Sequence, residues 1–311
     1  MNILVAIVGP TGVGKSEIAN LVATRVNGVI LSCDSMQIYR GLDIGSAKPE
    51  LETKKRIPHR LIDLIEPAEE FTVAQYQAQA VAAIAEVQAS LQIPILTGGT
   101  GLYYQAVVDG YSFACHEDAR SYRLELQEEA NQYGIERLYQ RLQQVDPVSA
   151  EAIAPSDQRR IIRALEVFTL TGKPISEQAR RQNDKYNLLA YGINRERFEL
   201  YRRIDDRVDQ MLAQGLVNEV EKLAAQGVSL HCTSMQGIGY KEIRWYLEGL
   251  TSYHEAVDLI KRESRRYAKR QITWFKRDPR IKWLDMSNIK VSEAVEKICE
   301  DLGRTLKGSV E

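Results

Sequence analysis

One short segment, Gly9-Pro-Thr-Gly-Val-Gly-Lys15-Ser16, limits what this chain can fold into more than any other. Its spacing is Gly-x-x-x-x-Gly-Lys-Ser, and its flanks match the motif. Asn2–Val8 before it is a nearly continuous aliphatic and β-branched run, the pattern of a strand buried on both faces. After it, Ile18, Leu21 and Val22 recur at helical spacing. A strand, a glycine-rich turn and a helix in that order make an anion cradle. The small residues let successive backbone N–H groups converge on phosphate oxygens, and the helix N-terminus adds partial positive charge. Gly9, Pro10, Thr11, Gly12, Val13, Gly14, Lys15 and Ser16 are therefore candidate pyrophosphate contacts, with Lys15 as a point charge and the Ser16 hydroxyl placed to ligate Mg²⁺. The bland alternative is a chance glycine-rich turn, which would not need these flanks.

Further buried-strand candidates are Gly28–Ser32, Arg60–Ile65, Ile93–Thr97, Leu188–Ile193 and Lys282–Leu284. Helical stretches separate most of them, Val73–Gln88 most clearly. Such alternation predicts an α/β fold, a P-loop NTPase-like core with a largely parallel sheet. Between about His116 and Gln182 the strand signals vanish. Glu117–Tyr133 and Ile135–Gln144 read as helices, and Ser156 offers an N-cap to a third whose apolar face is Ile161, Leu165 and Phe168. That helix stops at Gly172-Lys-Pro174. The block predicts a helical insertion subdomain at 116–182, dividing the core into 1–115 and 183–311. A last long helix is expected from Ser252, with Glu255 three residues on completing a capping box.

Composition narrows the class without naming a function. A chain of 311 residues, 44% hydrophobic and 27% charged, is ordinary for a globular protein. Its apolar runs fall short of the roughly 20 residues needed to cross a bilayer, so no membrane partner is expected. Met1–Val8 lacks a basic start and does not read as a signal peptide. Cys33, Cys115, Cys232 and Cys299 form no CxxC, which disfavours a zinc site or disulfide framework and points to a reducing cytoplasm. The net charge of −1 conceals basic clusters at Gln158–Arg163 and Lys261–Lys282, compatible with a polyanion on one face.

A phosphate cradle does not say what is attached to the phosphate. It is commonly a nucleotide-binding, ATP-binding element, in which a later buried strand ends in a Mg²⁺-holding Asp. Here Ile93–Thr97 runs into Gly98-Gly-Thr100-Gly101 with no acid, and no Asn-Lys-x-Asp reads guanine. The loop need not serve ATP or GTP. Asp34 stands at the carboxyl end of the strand after the cradle's helix, the edge where open parallel sheets place ligands. Position alone leaves it three readings: general base, turn cap or Mg²⁺ ligand.

Several motifs then occur in order: Gly9–Ser16, Asp34-Ser-Met-Gln-Ile-Tyr39, Asp43-Ile-Gly-Ser-Ala-Lys-Pro49, Pro58-His-Arg-Leu-Ile-Asp63 and Gly98-Gly-Thr-Gly-Leu-Tyr103. They continue with Gln158-Arg-Arg-Ile-Ile-Arg-Ala-Leu-Glu166, Ser234-Met-Gln-Gly-Ile-Gly-Tyr-Lys-Glu242 and Ala268-Lys-Arg-Gln-Ile-Thr-Trp-Phe275. Over nearly its whole length the chain resembles the tRNA dimethylallyltransferases, the IPP transferase family, in their shorter bacterial form. Departures are small: Ser16 where Thr is frequent, Gly12-Val13 where Ala-Ser is common, and Arg60 where a second His is usual. The resemblance implies transfer of a dimethylallyl group from its pyrophosphate to the exocyclic amine of the adenosine 3′ of the anticodon in tRNA. It implies Asp34 as general base, Thr100 beside the reacting adenosine and Arg207 on the pyrophosphate. It further implies tRNA contacts from Asp34, Ser35, Met36 and Gln37, from Thr100 and Arg123, and from Gln158, Arg159, Arg160, Ile161 and Ile162. Gln236, Gly237, Ile238, Gly239, Tyr240 and Lys241 complete that set.

The chemistry suits those residues. An allylic pyrophosphate departs with carbocation character when the oxygen charge is neutralised, and the adenine amine, its lone pair delocalised, needs a base to take its proton. The target base must leave the anticodon-loop stack to react. Arg262, Arg265, Arg266 and Lys269 share a helix face at i, i+3, i+4, i+7 spacing, readable as a phosphate-binding stripe or as a solvated face. The four histidines lack ligand spacing, and Tyr103, Tyr104 and the tryptophans read as packing residues. A monomer is expected. The rivals are a P-loop small-molecule kinase, a regulatory nucleotidase, and an isopentenyltransferase acting on free AMP or ADP.

Overall fold

The computed structural model describes residues 2–111, 119–178 and 185–308, and the chain divides into two compact units. The first comprises Met1–Val108 with Asp184–Glu311; the second is Asp109–Asn183.

The first unit opens with β1 (Ile3–Val8), then α1 (Lys15–Val26) and β2 (Gly28–Cys33). A short α2 (Leu51–Arg56) precedes β3, only His59–Arg60, followed by α3 (Val73–Ala89), β4 (Ile93–Gly98) and α4 (Gly101–Val108). The strand expected at Arg60–Ile65 is thus nearly absent. Leu61 and Asp63 adopt positive φ, which breaks the pleat, and Ile65 keeps one isolated bridge to Tyr39.

The second unit is helical: α5 (Ala119–Tyr133), α6 (Ile135–Val145), α7 (Pro147–Ala152), α8 (Gln158–Thr171) and a short α9 (Ile175–Gln178). Its core gathers Leu126, Leu138, Leu142, Ile161, Ile162 and Leu165. The N-cap of α8 is Asp157, whose side chain accepts from Arg160 N–H, and not Ser156 as the sequence suggests. A carboxylate at that position complements the helix dipole better than a hydroxyl. Gly172 ends the helix at φ +68°, as expected.

The first unit resumes with β5 (Asn187–Asn194), α10 (Arg197–Ala213), α11 (Leu216–Ala225), α12 (Tyr240–Leu247), α13 (Tyr253–Phe275), β6 (Ile281–Asp285) and α14 (Val291–Gly308). Helix α13 begins at the Ser252/Glu255 capping box. It is not the last long helix, because the 18-residue α14 follows and packs on α1.

The sheet is six-stranded and wholly parallel, in the order β3-β2-β4-β1-β5-β6. Every residue of β1 is buried, which explains its unbroken apolar run: both faces carry helices. One face holds Ile3, Val5 and Ile7 against α1 and α14, and the other holds Leu4, Ala6 and Val8 against α3 and α4. Each such aliphatic side chain removed from water contributes roughly 1.5–3 kcal/mol.

Candidate active site

Register builds the site. Val8 lies opposite Gly98, and Gly98 lies opposite Cys33, so β1, β4 and β2 finish level with one another. The three loops that leave them therefore emerge side by side, about 4.8 Å apart. They are the Gly9–Ser16 cradle, the Gly98–Gly101 turn and the segment beginning at Asp34.

Two glycines show why this edge tolerates no side chain. Gly9 takes φ +146°, and a Cβ there would stand 2.5 Å from the Ile193 carbonyl oxygen. A Cβ on Gly98 would run into the Cys33 carbonyl. Further along the cradle, Arg203 Nε donates to the Gly12 carbonyl at 3.0 Å and Arg195 Nε donates to the Val13 carbonyl at 3.1 Å. In a trans peptide the N–H points opposite to the C=O, so tying these two carbonyls to arginines fixes the direction of the Val13 and Gly14 N–H groups.

A cavity of about 1360 Å³ opens over this edge. Thr11, Lys15 and Ser16 line it from the cradle, Asp34, Ser35, Met36 and Gln37 from the loop after β2, and Arg207 from α10. Lys15 Nζ donates to the Pro10 carbonyl at 2.6 Å. Burial, and after it the Arg207 charge, lower its pKa from the ordinary lysine range to about 7. Burial likewise lowers Arg207, whose guanidinium engages no protein acceptor among the described residues, while the Asp34 charge acts the other way. Two recessed cations against one carboxylate form a site that calls for an anion.

Asp34 serves its own turn with one oxygen, Oδ1, which accepts from Met36 N–H at 2.8 Å. Its Oδ2 accepts no hydrogen bond among the described residues, so the turn-cap and base readings coexist. Thr100 braces the same turn. Its N–H donates to the Cys33 carbonyl at 3.1 Å, and its Oγ1 accepts from Ser35 N–H at 3.0 Å. Below them the Cys33 thiol is pushed up to about 12, chiefly by burial, and is inert. Gln37 bridges Ser32 Oγ at 2.7 Å to the Ser46 and Ala47 carbonyls at 3.2 Å.

The Asp43–Pro49 segment is held by charge. Lys48 Nζ, almost fully buried, reaches Tyr39 O at 2.6 Å, Asp43 at 2.7 Å and Asp63 at 2.5 Å. Glu219 accepts from Ile44 N–H at 2.8 Å, from Asp43 N–H at 3.0 Å and from Tyr240 Oη at 2.7 Å.

The sequence-expected residues divide into two groups. The cradle, Asp34–Gln37, Thr100, Arg207 and Gln236–Lys241 all belong to the first unit. Gln236, Gly237, Ile238 and Gly239 line the same cavity, and a Cβ on Gly237 would strike Met36. Tyr240 is buried and spends its hydroxyl on Glu219, so its side chain presents no surface to an RNA.

Arg123 and Gln158–Ile162 belong to the helical unit. Arg123 Nε donates to the fully buried Glu166 at 2.7 Å, an acid that Arg163 also engages. Ile161 and Ile162 are core residues of that unit. Their side chains cannot meet a partner, which leaves Gln158, Arg159 and Arg160 to carry any contact from the segment.

Sequence reasoning missed Gln271. On α13 it accepts from Thr11 N–H at 2.8 Å and donates to the Gly99 carbonyl at 2.9 Å. The motif Ala268–Phe275 contained it, but nothing in that string distinguished it from a helix-face amide.

A wholly parallel sheet whose central strands end at a glycine-rich cradle, with Lys15, Arg207 and Asp34 lining one cavity over it, is a P-loop NTPase-like fold. The profile of the IPP transferase family matches residues 37–278. The tRNA dimethylallyltransferase of Natranaerobius thermophilus is 50% identical over 302 residues, 96% of this chain and 90% of that one. The crystal structure of the full-length tRNA isopentenylpyrophosphate transferase of Bacillus halodurans aligns over all of both chains at 43% identity and a TM-score of 0.74. A eukaryotic dimethylallyltransferase acting on tRNA aligns over 93% of this chain and 75% of its own, at 29% identity and a TM-score of 0.77. The chain belongs to the IPP transferase family.

Proposed function

We propose that the chain transfers a dimethylallyl group from dimethylallyl pyrophosphate to the exocyclic amine of the adenosine 3′ of the anticodon in tRNA, releasing pyrophosphate. The observation that carries this reading is the single cavity shared by the cradle, Arg207 and Asp34. As the allylic C–O bond breaks, the electron pair leaves on the pyrophosphate oxygen, where cradle amides, Lys15 and Arg207 neutralise it. As the C–N bond forms, the amine proton passes to Asp34 Oδ2, the oxygen its own turn leaves unused. Thr100, which fixes the Ser35 peptide, sits beside the acceptor adenosine.

Ser16 lines the cavity next to Lys15, and an oxygen donor beside a pyrophosphate suits Mg²⁺, a hard cation that fills its shell with phosphate oxygens and water. Bound there, Mg²⁺ supplies further charge neutralisation for the leaving group. The anticodon stem-loop would rest on Met36, Gln37 and Gln236–Gly239, with Gln158, Arg159 and Arg160 as further contacts. Among the described residues no helix is long and apolar enough to cross a membrane, which suits an enzyme working on tRNA in the cytoplasm.

The test is labelled dimethylallyl pyrophosphate offered separately to tRNA, AMP and ADP. Label is expected in tRNA, at the adenosine named. Incorporation into the mononucleotides alone sinks the acceptor assignment, and none anywhere sinks the reaction.

A further inference from the structure

Gln271 occupies an unusual place. The residue is 6% exposed, and its amide spans from the cradle to the turn after β4. The oxygen accepts from Thr11 N–H and the nitrogen donates to the Gly99 carbonyl, so both ends of one rigid planar group are satisfied. Gly99 is cut to fit it, because a Cβ there would collide with Gln271 Nε2. One turn earlier on α13, Tyr267 neighbours Thr100 and Gln271. Two residues beyond Gly99's partner turn the geometry is equally tight: a Cβ on Gly101 would strike the Trp274 indole. One helix face thus touches the loop that grips the leaving group and the loop that carries Thr100, which in turn holds the Asp34 turn.

We propose that Gln271, in the wall of the cavity, is a positioning residue for the transfer reaction, acting through the Thr11 and Gly99 backbones to fix the distance between the pyrophosphate cradle and the Thr100–Asp34 acceptor side. The inference rests on the function proposed above. Each half-site binds with its own groups, so uncoupling them leaves binding intact and spoils only the alignment of the allylic carbon with the amine. Misplacement of about 1 Å costs about 10²-fold in rate. The side chain also consumes the Thr11 N–H, which removes that amide from the set free to bind phosphate.

Two variants of the full chain test this. Gln271→Leu keeps the bulk and removes both hydrogen bonds. Inorganic pyrophosphate affinity and anticodon stem-loop affinity are expected within about 3-fold of the unaltered protein, while the single-turnover rate at saturation falls about 10²-fold. Gln271→Glu keeps the acceptor for Thr11 N–H but turns an anionic oxygen toward the Gly99 carbonyl. Protonation restores a donor there, so its rate relative to the unaltered protein is expected to climb as pH falls from about 8 to about 6, burial having raised the new carboxyl. Beside that position stands Tyr267 on its own helix, which in turn senses Cys33 at the end of β2 and Asp34 just after it; those two also act on Lys15 at the start of α1. All of them are present in both proteins, so the ratio reports the new carboxyl together with its effect on these neighbours.

A saturating rate in Gln271→Leu equal to the unaltered one, a loss confined to pyrophosphate affinity, or a flat ratio for Gln271→Glu overturns the assignment. If Gln271→Leu does not fold, the ratio alone decides. Absence of transfer to RNA by the unaltered protein overturns the functional reading and this role together, whereas active protein with an indifferent Gln271 overturns this role alone.

Discussion

At the scale of single residues, the site turns on three charges whose environments differ. Asp34→Asn keeps the turn acceptor at Oδ1 but removes the proton acceptor, so single-turnover transfer is expected to fall by about 10²- to 10⁴-fold while stem-loop affinity stays nearly unchanged. Near-normal transfer would remove Asp34 from its role. Lys15 gives a pH dependence. Burial lowers its pKa to about 7, so it is increasingly neutral above that pH and takes up a proton on meeting an anion. Pyrophosphate affinity is therefore expected to weaken as pH rises past 7. Calorimetry at pH 8 in buffers of different ionisation enthalpy should show more proton uptake than the Lys15→Met variant shows, and equal uptake would contradict the lowered pKa. The same shift acts on stability with a defined sign. Between about 7 and the ordinary lysine value the unfolded chain binds more protons, so the contribution of this group to stability rises with pH in that window. The place of the cradle after β1 and of Asp34 after β2 was legible in the sequence because each follows a short buried-strand string, whereas Thr100 entered only through the family resemblance. Gln271 was not legible, since its role is defined by partners 260 and 172 residues away.

At the scale of elements, α13 shows how a sequence stripe divides once its neighbours are known. Arg265 pairs with Asp205 of α10 at 2.5 Å, and Lys261 pairs with Asp209 of the same helix at 2.6 Å. Arg262 and Arg266 share Glu263. Of the supposed phosphate stripe, Arg265 ties α13 to α10, as the neighbouring Lys261 does, which spacing on one helix cannot reveal. Arg265→Ala is expected to cost about 0.5–1 kcal/mol in denaturant unfolding and to leave the salt slope of RNA binding alone. Lys269, exposed and without an ion-pair partner among the described residues, is the better phosphate candidate. Lys269→Ala should reduce the magnitude of that slope by about 1. An unchanged slope would leave the whole face to solvent. Strands β1, β2, β4 and β5 were readable because burial on both faces writes an unbroken apolar run. β3 was overread because Leu61 and Ile65 are apolar for packing reasons, whereas α14 went unread although Ala294, Val295, Ile298 and Leu302 recur at helical spacing on its buried face.

At the scale of the molecule, the division at Asp109 and Asn183 separates the whole cavity lining from Arg123 and Gln158–Arg160. Inorganic pyrophosphate with Mg²⁺ is therefore expected to slow amide exchange in Gly9–Ser16 and around Gly98–Thr100 while leaving α5, α6 and α8 at their own rates. At 100 times its Kd the ligand should stabilise the first unit by about 2.7 kcal/mol. Protection confined to the helical unit would place the anion elsewhere. The level ending of β1, β4 and β2 carries a stricter demand. It makes the sheet a ruler on which strand length is a catalytic variable. Deleting one residue from β2 draws Asp34 back by about 3.3 Å and reverses the side to which it points. Evolution can therefore lengthen or trim the loops leading into these strands, but the count of residues between their register and their last carbonyl is not free to drift.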